Sequence, residues 1–273
     1  MHSLAIFEFK MPSASLAAVD LLQIREVNLR TSTEKAFADN PLIEKYFRDL
    51  SRALGPMRWW PAGSSFEVIV GAILTQNTAW TNVEQAITNL RREDLLTPLA
   101  IEKVPTRRLA QLIRSSGYFR QKAKKLKAFV RFLRRDYRGS LQRMFRTPTA
   151  QLRERLLAVH GIGPETADSI LLYAGQHPVF VVDAYTHRIL GRHGLTTGKP
   201  DYEAVRTLFE TSLPREVPLY NEFHALLVNV GKNWCRPSDP RCDECPLGPH
   251  LPMDSPLRAS LLAAKTAAAE LCQ

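Results

Sequence analysis

Residues 157–170 read LAVHGIGPETADSI, an apolar helix end followed by a glycine turn and the proline-led start of a second helix. We expect Gly161 and Gly163 to adopt backbone angles that are closed to other residues, and Pro164 suits a first helical turn. The pattern predicts a helix-hairpin-helix over about residues 152–175. Its turn would point backbone N–H groups outward, where they bind a DNA phosphate without reading base sequence. A plain packing joint between two helices is the alternative.

The chain is strongly basic. Its 273 residues include 37 Lys and Arg against 27 Asp and Glu, which gives a net charge of +10 and a pI of about 9.7. This excess favours a polyanionic partner, with nucleic acid ahead of an anionic membrane surface. Every apolar run is shorter than the roughly 18–20 residues that span a bilayer, and the N-terminus lacks a secretion signal. We expect a cytoplasmic monomer, associated with the nucleoid in a prokaryote.

Apolar residues recur three and four apart through most of the chain, so we predict an all-α fold. The predicted helices lie at 43–54, 66–74, 83–90, 109–113, 123–133, 152–159, 166–173, 184–191, 202–213 and 220–234. The apolar run at 179–182 is too short to build a sheet. Residues 1–40 are predicted to be a loosely held leader, and the alanine-rich residues 263–271 a terminal helix.

Residues 180–188 read FVVDAYTHR, in which Asp183 follows an apolar run and precedes a predicted helix. Aspartate is a favoured helix N-cap, so a purely structural role is one explanation. Together with the hairpin, the segment resembles the endonuclease III superfamily, whose members carry a helix-hairpin-helix followed by a Gly/Pro-rich loop and an essential aspartate. Asp183 occupies the place of that aspartate. The resemblance implies a base-excision-repair DNA glycosylase that acts on double-stranded DNA containing damaged bases.

The resemblance also implies a two-lobed helix-hairpin-helix glycosylase fold with a central helical barrel and a C-terminal cysteine loop. The barrel would comprise residues 60–150. The second lobe would combine residues 41–60 with residues 151–273, including the cysteine loop at 235–251. We expect the active site in the cleft between the lobes.

A carboxylate has a clear task in such an enzyme. Cleavage of an N-glycosidic bond builds positive charge on the deoxyribose, which a fixed anion stabilises, and the same anion can activate water. We assign both roles to Asp183. In bifunctional members of the family a lysine of the second hairpin helix forms a Schiff base with the sugar. Glu165 stands at that position and cannot form an imine, so we expect base removal without a lyase step. Glu165 either orients water or is a solvated residue of the first helical turn.

A second group of segments resembles 3-methyladenine DNA glycosylase III and the related endonuclease III-like proteins. Residues 58–62 read RWWPA, residues 66–80 read FEVIVGAILTQNTAW, and residues 116–125 read SGYFRQKAKK. The resemblance implies that Gln76, with Asn77 beside it, fills the gap that an extruded base leaves in the duplex. It also implies a wall for that base, formed by Trp60, Pro61 and Trp80. The alternatives are core packing for the tryptophans and a polar helix terminus for the two amides.

The aromatic wall favours one class of damage. An N-alkylated purine carries positive charge on its ring, and aromatic faces attract a cation by about 0.5–2 kcal/mol. Alkylation also weakens the glycosidic bond, so that one carboxylate without a lysine would suffice. We therefore expect N-alkylated purines as substrates. A glycosylase for oxidised pyrimidines or mismatched bases is the first alternative, and a non-catalytic damage sensor is the second.

We expect the DNA phosphates to contact the hairpin and a basic helix. The expected contacts are Gly161, Ile162, Gly163, Thr166, Lys122, Lys124 and Lys125. The lysines begin a basic run that continues to Arg135, and an ordinary solvated helix face is the alternative. Such contacts would make DNA binding sensitive to salt without choosing the lesion.

Cys235, Cys242 and Cys245 are separated by six and two residues, a spacing that resembles the iron–sulfur loop of endonuclease III-type enzymes. There a fourth cysteine follows five residues later, where this chain has Leu251. A [4Fe–4S] cluster takes four thiolates, so His250, a neighbouring residue, the distant Cys272 or no protein group would complete it. A zinc ion held by three cysteines and His250 is one alternative, and a loop without metal is the other.

Overall fold

A computed structural model describes residues 40–57, 62–198 and 201–258. These ranges consist of helices and connecting turns and contain no β-strand, which confirms the predicted all-α fold. None of their helices is both long and apolar enough to cross a membrane. The predicted leader up to residue 39, the predicted helix at 263–271 and the pocket residues Trp60 and Pro61 lie outside the described residues.

Every predicted helix within the described ranges overlaps an observed one. In chain order the α-helices are α1 (Pro41–Leu54), α2 (Ser65–Leu74), α3 (Trp80–Arg92), α4 (Pro98–Lys103), α5 (Thr106–Leu112), α6 (Phe119–Tyr137), α7 (Leu141–Phe145), α8 (Thr149–Leu157), α9 (Pro164–Ser169), α10 (Ala184–Arg192), α11 (Tyr202–Ser212) and α12 (Val217–Asn233). The chain continues from α9 into a π-helical turn, Ile170–Ala174. The short helices α4 and α7 were not predicted, because one or two turns give too little periodicity.

Helix α2 is central to the fold because its sequence is apolar on every side. All residues from Phe66 to Leu74 are buried, and Ser64 caps the helix by accepting a hydrogen bond from the Glu67 N–H at 3.2 Å. The helix contacts α3 and α6, and also α9 and the π-helical turn. It therefore joins the middle of the chain to the hairpin. The division into a barrel of residues 60–150 and a second lobe stays a prediction.

A buried ion pair clamps the two hairpin helices together. Asp168 of α9 is fully buried, and Arg153 of α8 reaches its two carboxylate oxygens at 2.7 and 3.0 Å. Tyr202 of α11 donates its hydroxyl to the same carboxylate at 2.9 Å. Two parallel hydrogen bonds from a guanidinium fix both distance and orientation. The clamp therefore sets the angle at which α9 leaves the hairpin turn.

Helices α10 and α12 approach closely because Gly231 of α12 has no side chain. A Cβ atom there would lie 2.3 Å from Cδ1 of Tyr185 in α10, which is too near for any side chain. The same pair of helices brings Asp183, at the start of α10, within reach of His224 on α12.

Replacing Arg153 with methionine should lower the free energy of unfolding by about 3 kcal/mol, because Asp168 would stay buried without its cation. Urea denaturation followed by circular dichroism measures the loss. As a control, Arg108→Met breaks an exposed ion pair with Glu93 and should cost less than about 1 kcal/mol. Equal losses in the two variants would contradict the clamp.

Candidate active site

The hairpin turn between α8 and α9 differs from the prediction in two places. Gly161 has φ +83°, in the left-handed region, but Gly163 has φ −94° and ψ 179°, an extended conformation open to any residue. The expectation of special angles is therefore wrong for Gly163. Ile162 is also wrong as a phosphate contact, since its side chain is buried and its N–H donates to Val159 O at 3.0 Å. Gly163 is exposed, with open space where a Cβ would lie.

Gln76 is held against the hairpin. Its Nε2 donates to Gly161 O at 3.1 Å and to Thr166 Oγ1 at 2.9 Å, while Lys125 Nζ donates to its Oε1. The Thr166 side chain is buried and its hydroxyl is engaged, and the predicted phosphate contact of this residue stays a prediction. Lys125 lies across Gly161, where a Cβ would be 2.5 Å from Lys125 Cγ. The duplex-filling role of Gln76 stays a prediction, and this network must open to allow it.

The structure describes two other residues predicted to contact the base or the gap. Asn77 is exposed at φ +54° in the turn between α2 and α3. Trp80 begins α3, packs partly buried against the core, and donates its Nε1–H to Glu84 Oε1 at 2.7 Å. With Trp60 and Pro61 outside the described residues, the pocket wall stays a prediction.

Side chains of the basic run on α6 have different environments. Lys122 is only 2% exposed, and its Nζ donates to Ser116 O and, at 2.8 Å, to Leu74 O at the end of α2. Burial, with a smaller contribution from Lys125, lowers the pKa of Lys122 to about 8. The prediction that Lys122 contacts a phosphate is therefore wrong, because its ammonium group satisfies backbone carbonyls inside the protein. Lys124 is exposed and stays a predicted phosphate contact.

Asp183 is the N-cap of α10, and this cap fixes its carboxylate. Oδ1 accepts hydrogen bonds from the Thr186 N–H at 2.8 Å and the Thr186 hydroxyl at 2.9 Å. Oδ2 faces Nε2 of His224 at 3.6 Å. Burial by itself raises the pKa of Asp183, but His224 and Thr186 outweigh burial and hold the pKa below its usual value. The capping interaction therefore also helps to hold a largely enclosed carboxylate in its ionised form.

Glu165, the second residue of α9, has an exposed side chain. Loss of bulk water around its carboxyl nevertheless raises its pKa to about 7, with the Asp183 charge adding to the rise and His224 opposing it. Water therefore reaches this residue, although protein replaces part of the solvent around its carboxyl. Neighbouring carboxyl groups with pKa values pushed apart are typical of acid–base sites.

His224 and Tyr173 belong to this site, and sequence analysis missed both. His224 lies on α12 and Tyr173 on the π-helical turn, and the Tyr173 hydroxyl is 2.5 Å from Nδ1 of His224. Each is buried. They stand 41 and 10 residues from Asp183 in a run of apolar helix, so no local pattern marks them. Single π-helical turns in α-helices are frequent at functional sites, but sequence periodicity does not reveal them.

The cysteine loop does not form the predicted ligand set. The thiols of Cys235, Cys242 and Cys245 are free and line one small cavity. In the part of the chain that the structure describes, no group of three His, Cys, Asp or Glu side chains is placed to hold a metal ion. Leu251, at the position of a fourth cysteine, is buried and offers no donor atom. These residues therefore do not fit a four-thiolate cluster.

His250, one of the candidates for a fourth ligand, contacts other residues in the structure. Its Nε2 contacts Asp49 Oδ2 at 2.7 Å, and its Nδ1 lies 3.5 Å from Lys45 Nζ. Both ring nitrogens are thus engaged by α1. A zinc site of three cysteines and His250 would require this contact to break.

Arginines of α10 hold the cysteine loop. Arg192 donates to the carbonyl oxygens of Arg236 at 2.7 Å and Pro237 at 2.9 Å, and it contacts Cys235 Sγ at 3.3 Å. Arg188 donates to the carbonyl oxygen of Cys235 at 2.6 Å. The helix that begins at Asp183 therefore anchors the loop along its second half.

Comparison with known proteins gives a consistent result. Residues 70–215 match the family described as HhH-GPD superfamily base excision DNA repair protein. A candidate DNA repair glycosylase of Methanocaldococcus jannaschii is 45% identical over 208 residues, which cover 76% of this chain and 94% of the relative. Endonuclease III of Thermotoga maritima is 32% identical over 185 residues, covering 68% and 81%.

A solved structure is also similar. It is H. pylori 3-methyladenine DNA glycosylase (MagIII) bound to 1,N6-ethenoadenine, with a TM-score of 0.59 and 30% sequence identity. The match covers 68% of this chain and 94% of that one.

Glu165→Gln should raise stability at high pH. The folded pKa of about 7 exceeds the ordinary 4.5, so the carboxyl contributes stability at low pH that is lost as pH rises through about 7. The variant should gain about 1 kcal/mol near pH 8, a value reduced for solvent access, and nothing near pH 4. Thermal melts across this range measure the difference, with Glu154→Gln, an exposed glutamate of α8, as control. A gain independent of pH would contradict the raised pKa.

Proposed function

Because the chain belongs to the HhH-GPD superfamily of base excision DNA repair proteins, we propose that it is a monofunctional DNA N-glycosylase that releases N-alkylated purines. The observation that carries the proposal is the carboxylate of Asp183, which is largely enclosed, held ionised and contacted by Thr186 and His224. A fixed anion of this kind stabilises the positive charge that develops on the sugar as the base departs.

The proposed reaction replaces the base with water at C1′ of the deoxyribose. As the C1′–N bond breaks, its electron pair leaves with the base, and Asp183 stabilises the cationic sugar. Water then bonds to C1′ and loses a proton. Glu165 is our candidate for orienting that water, because a carboxyl with a pKa of about 7 beside Asp183 can exchange a proton at neutral pH.

Absence of a lyase step is the second part of the proposal. The side chain at the position of the Schiff-base lysine is Glu165, which has no amine. Lys125, which lies across the hairpin turn, uses its Nζ to hold Gln76. Neither group favours imine formation with the sugar.

Preference for alkylated purines is supported by chemistry and by one relative. The similar H. pylori glycosylase has been seen with 1,N6-ethenoadenine, a modified purine. An electron-poor purine ring favours contact with an aromatic face such as Trp80. We propose that Trp80, Trp60 and Pro61 together receive the base.

A second candidate function is the removal of oxidised pyrimidines. It is favoured by the 32% identity to an endonuclease III of which this chain covers 81%. Either enzyme would bind double-stranded DNA through Gly161, Gly163 and Lys124, in the compartment that contains the genomic DNA.

The cysteine loop is proposed to be a structural element. Iron analysis and an absorption spectrum of the purified protein test whether it carries a cluster.

Asp183→Asn should lower the single-turnover rate of base release by at least about 100-fold, because asparagine keeps the cap but loses the charge. Duplexes carrying an alkylated purine, an oxidised pyrimidine or a mismatch are incubated with the protein, and free base is quantified by chromatography. Asp201→Asn, at the N-cap of α11 without a capping hydrogen bond, is the matched control. Undiminished release by a folded Asp183→Asn would refute the role of the carboxylate.

Borohydride added during turnover should trap no covalent protein–DNA adduct, since the proposed reaction passes through no imine. Denaturing gel electrophoresis with labelled DNA measures trapping, and a bifunctional endonuclease III serves as the positive control. Trapping at the level of that control would contradict the monofunctional proposal, and loss of the adduct in Lys125→Met would then identify the amine.

A further inference from the structure

We propose that His224 and Tyr173 are positioning residues for Asp183. The Tyr173 hydroxyl fixes the His224 tautomer that carries its proton on Nε2, and this N–H points at the free carboxylate oxygen of Asp183. The inference rests on the proposed function, in which Asp183 is the anion that faces the sugar. It assigns a task to two residues that lie on other helices.

The three side chains form a continuous row. Tyr173 Oη is 2.5 Å from His224 Nδ1, and His224 Nε2 is 3.6 Å from Asp183 Oδ2. The second distance is slightly longer than a hydrogen bond, and such contacts in substrate-free enzymes often tighten when substrate binds. Thr186 already occupies Oδ1. His224 therefore lies next to Oδ2, the carboxylate oxygen that is not used by the helix cap.

A neutral imidazole has one donor nitrogen and one acceptor nitrogen, and the partner of one fixes the role of the other. A tyrosine hydroxyl that donates to Nδ1 leaves the proton on Nε2. That proton then faces the carboxylate. If Nδ1 carried the proton instead, the Nε2 lone pair would face the anion and repel it. Tyr173 is thus the group that selects the favourable arrangement.

The fold is built to bring this row together. The π-helical turn after α9 carries Tyr173, and α12 carries His224. The contact of Gly231 with Tyr185 lets α12 approach the helix that Asp183 caps. His224 and Tyr173 are 5% and 7% exposed, so solvent does not compete for the polar atoms. The row is therefore in place before any DNA binds, and only the contact between His224 and Asp183 has to shorten.

Two carboxyl groups of unlike environment face the imidazole. Asp183 approaches it from the start of α10, and Glu165 of α9 lies within electrostatic reach of it. His224 is therefore close to both carboxyl groups of the proposed site. Its loss should leave Asp183 easier to protonate and less firmly oriented.

The chain contains a matched pair for comparison. Tyr46 Oη is 2.8 Å from Nδ1 of His193, and both of these residues are also buried. His193 lies at the opposite end of α10 from Asp183. A variant of this pair perturbs a buried Tyr–His contact on the same helix without touching the proposed site.

The first test compares base release with DNA binding. His224→Leu and Tyr173→Phe should slow single-turnover release roughly 10- to 100-fold, as expected when the group that orients a catalytic partner is lost. Affinity for a duplex with a non-hydrolysable nucleotide should change less than about twofold, because the loss is confined to the chemical step. His224→Gln, whose amide places an N–H near Nε2, should recover part of the rate. His193→Gln and Tyr46→Phe should release base as the wild type does.

The second test does not depend on activity. In 15N NMR spectra of histidine-labelled protein, the signal lost in His224→Gln identifies the residue, and its two nitrogen shifts should show the Nε2–H tautomer. Tyr173→Phe should shift that equilibrium toward Nδ1–H. An Nδ1–H tautomer in the wild type would overturn the inference. So would a wild-type rate in folded His224→Leu, or a loss that also appears in the His193 control and is not recovered by glutamine. Absence of release from every duplex by the wild type would instead overturn the proposed function, and the tautomer result would still decide the Tyr173–His224 arrangement.

Discussion

At the start of α10, the carboxylate of Asp183 accepts hydrogen bonds from the N–H and the hydroxyl of Thr186. This interaction ties the position of a largely enclosed anion to the start of a helix. The energy that forms the helix therefore also holds the charge where the proposed chemistry needs it. Oδ1 caps the helix, and Oδ2 remains available to the proposed site. A capping residue that is also catalytic gains precise placement without a separate support.

The two carboxyl groups of the proposed site, those of Asp183 and Glu165, have pKa values shifted in opposite directions. Thr186 and His224 favour the anion at Asp183, whereas Glu165 has lost solvent and faces a like charge. Like charges in a recess disfavour simultaneous ionisation, so the group with the better partners keeps its charge. The hairpin contributes the second carboxyl because the clamp between Arg153 and Asp168 fixes the direction of α9. The packing of the two hairpin helices thus helps to set the position of the Glu165 carboxyl in the proposed site.

Local patterns in the sequence were sufficient for the helices, the hairpin and the Asp183 segment. These patterns did not predict the environments of side chains that contact distant parts of the chain. Lys122 belongs to a basic run, yet it is buried against the end of α2, a contact 48 residues away. Gly163 shares its turn with Gly161 but adopts an ordinary extended backbone. His224 and Tyr173 lie among apolar residues, and only the approach of α12 to α10 and the π-helical turn give them polar neighbours. Pairing between helices is a tertiary property that periodicity does not encode.

The attachment of the cysteine loop to α10 has a consequence for chemical resistance. Guanidinium groups stay charged throughout the physiological pH range, and backbone carbonyls are not oxidised as thiolates are. The carbonyl contacts of Arg188 and Arg192 therefore do not depend on the redox state of the surroundings. Peroxide that oxidises the cysteine thiols would not react with the groups that make these carbonyl contacts. The helix that presents the Asp183 carboxylate thus has an anchor made mainly of groups that oxidants do not modify.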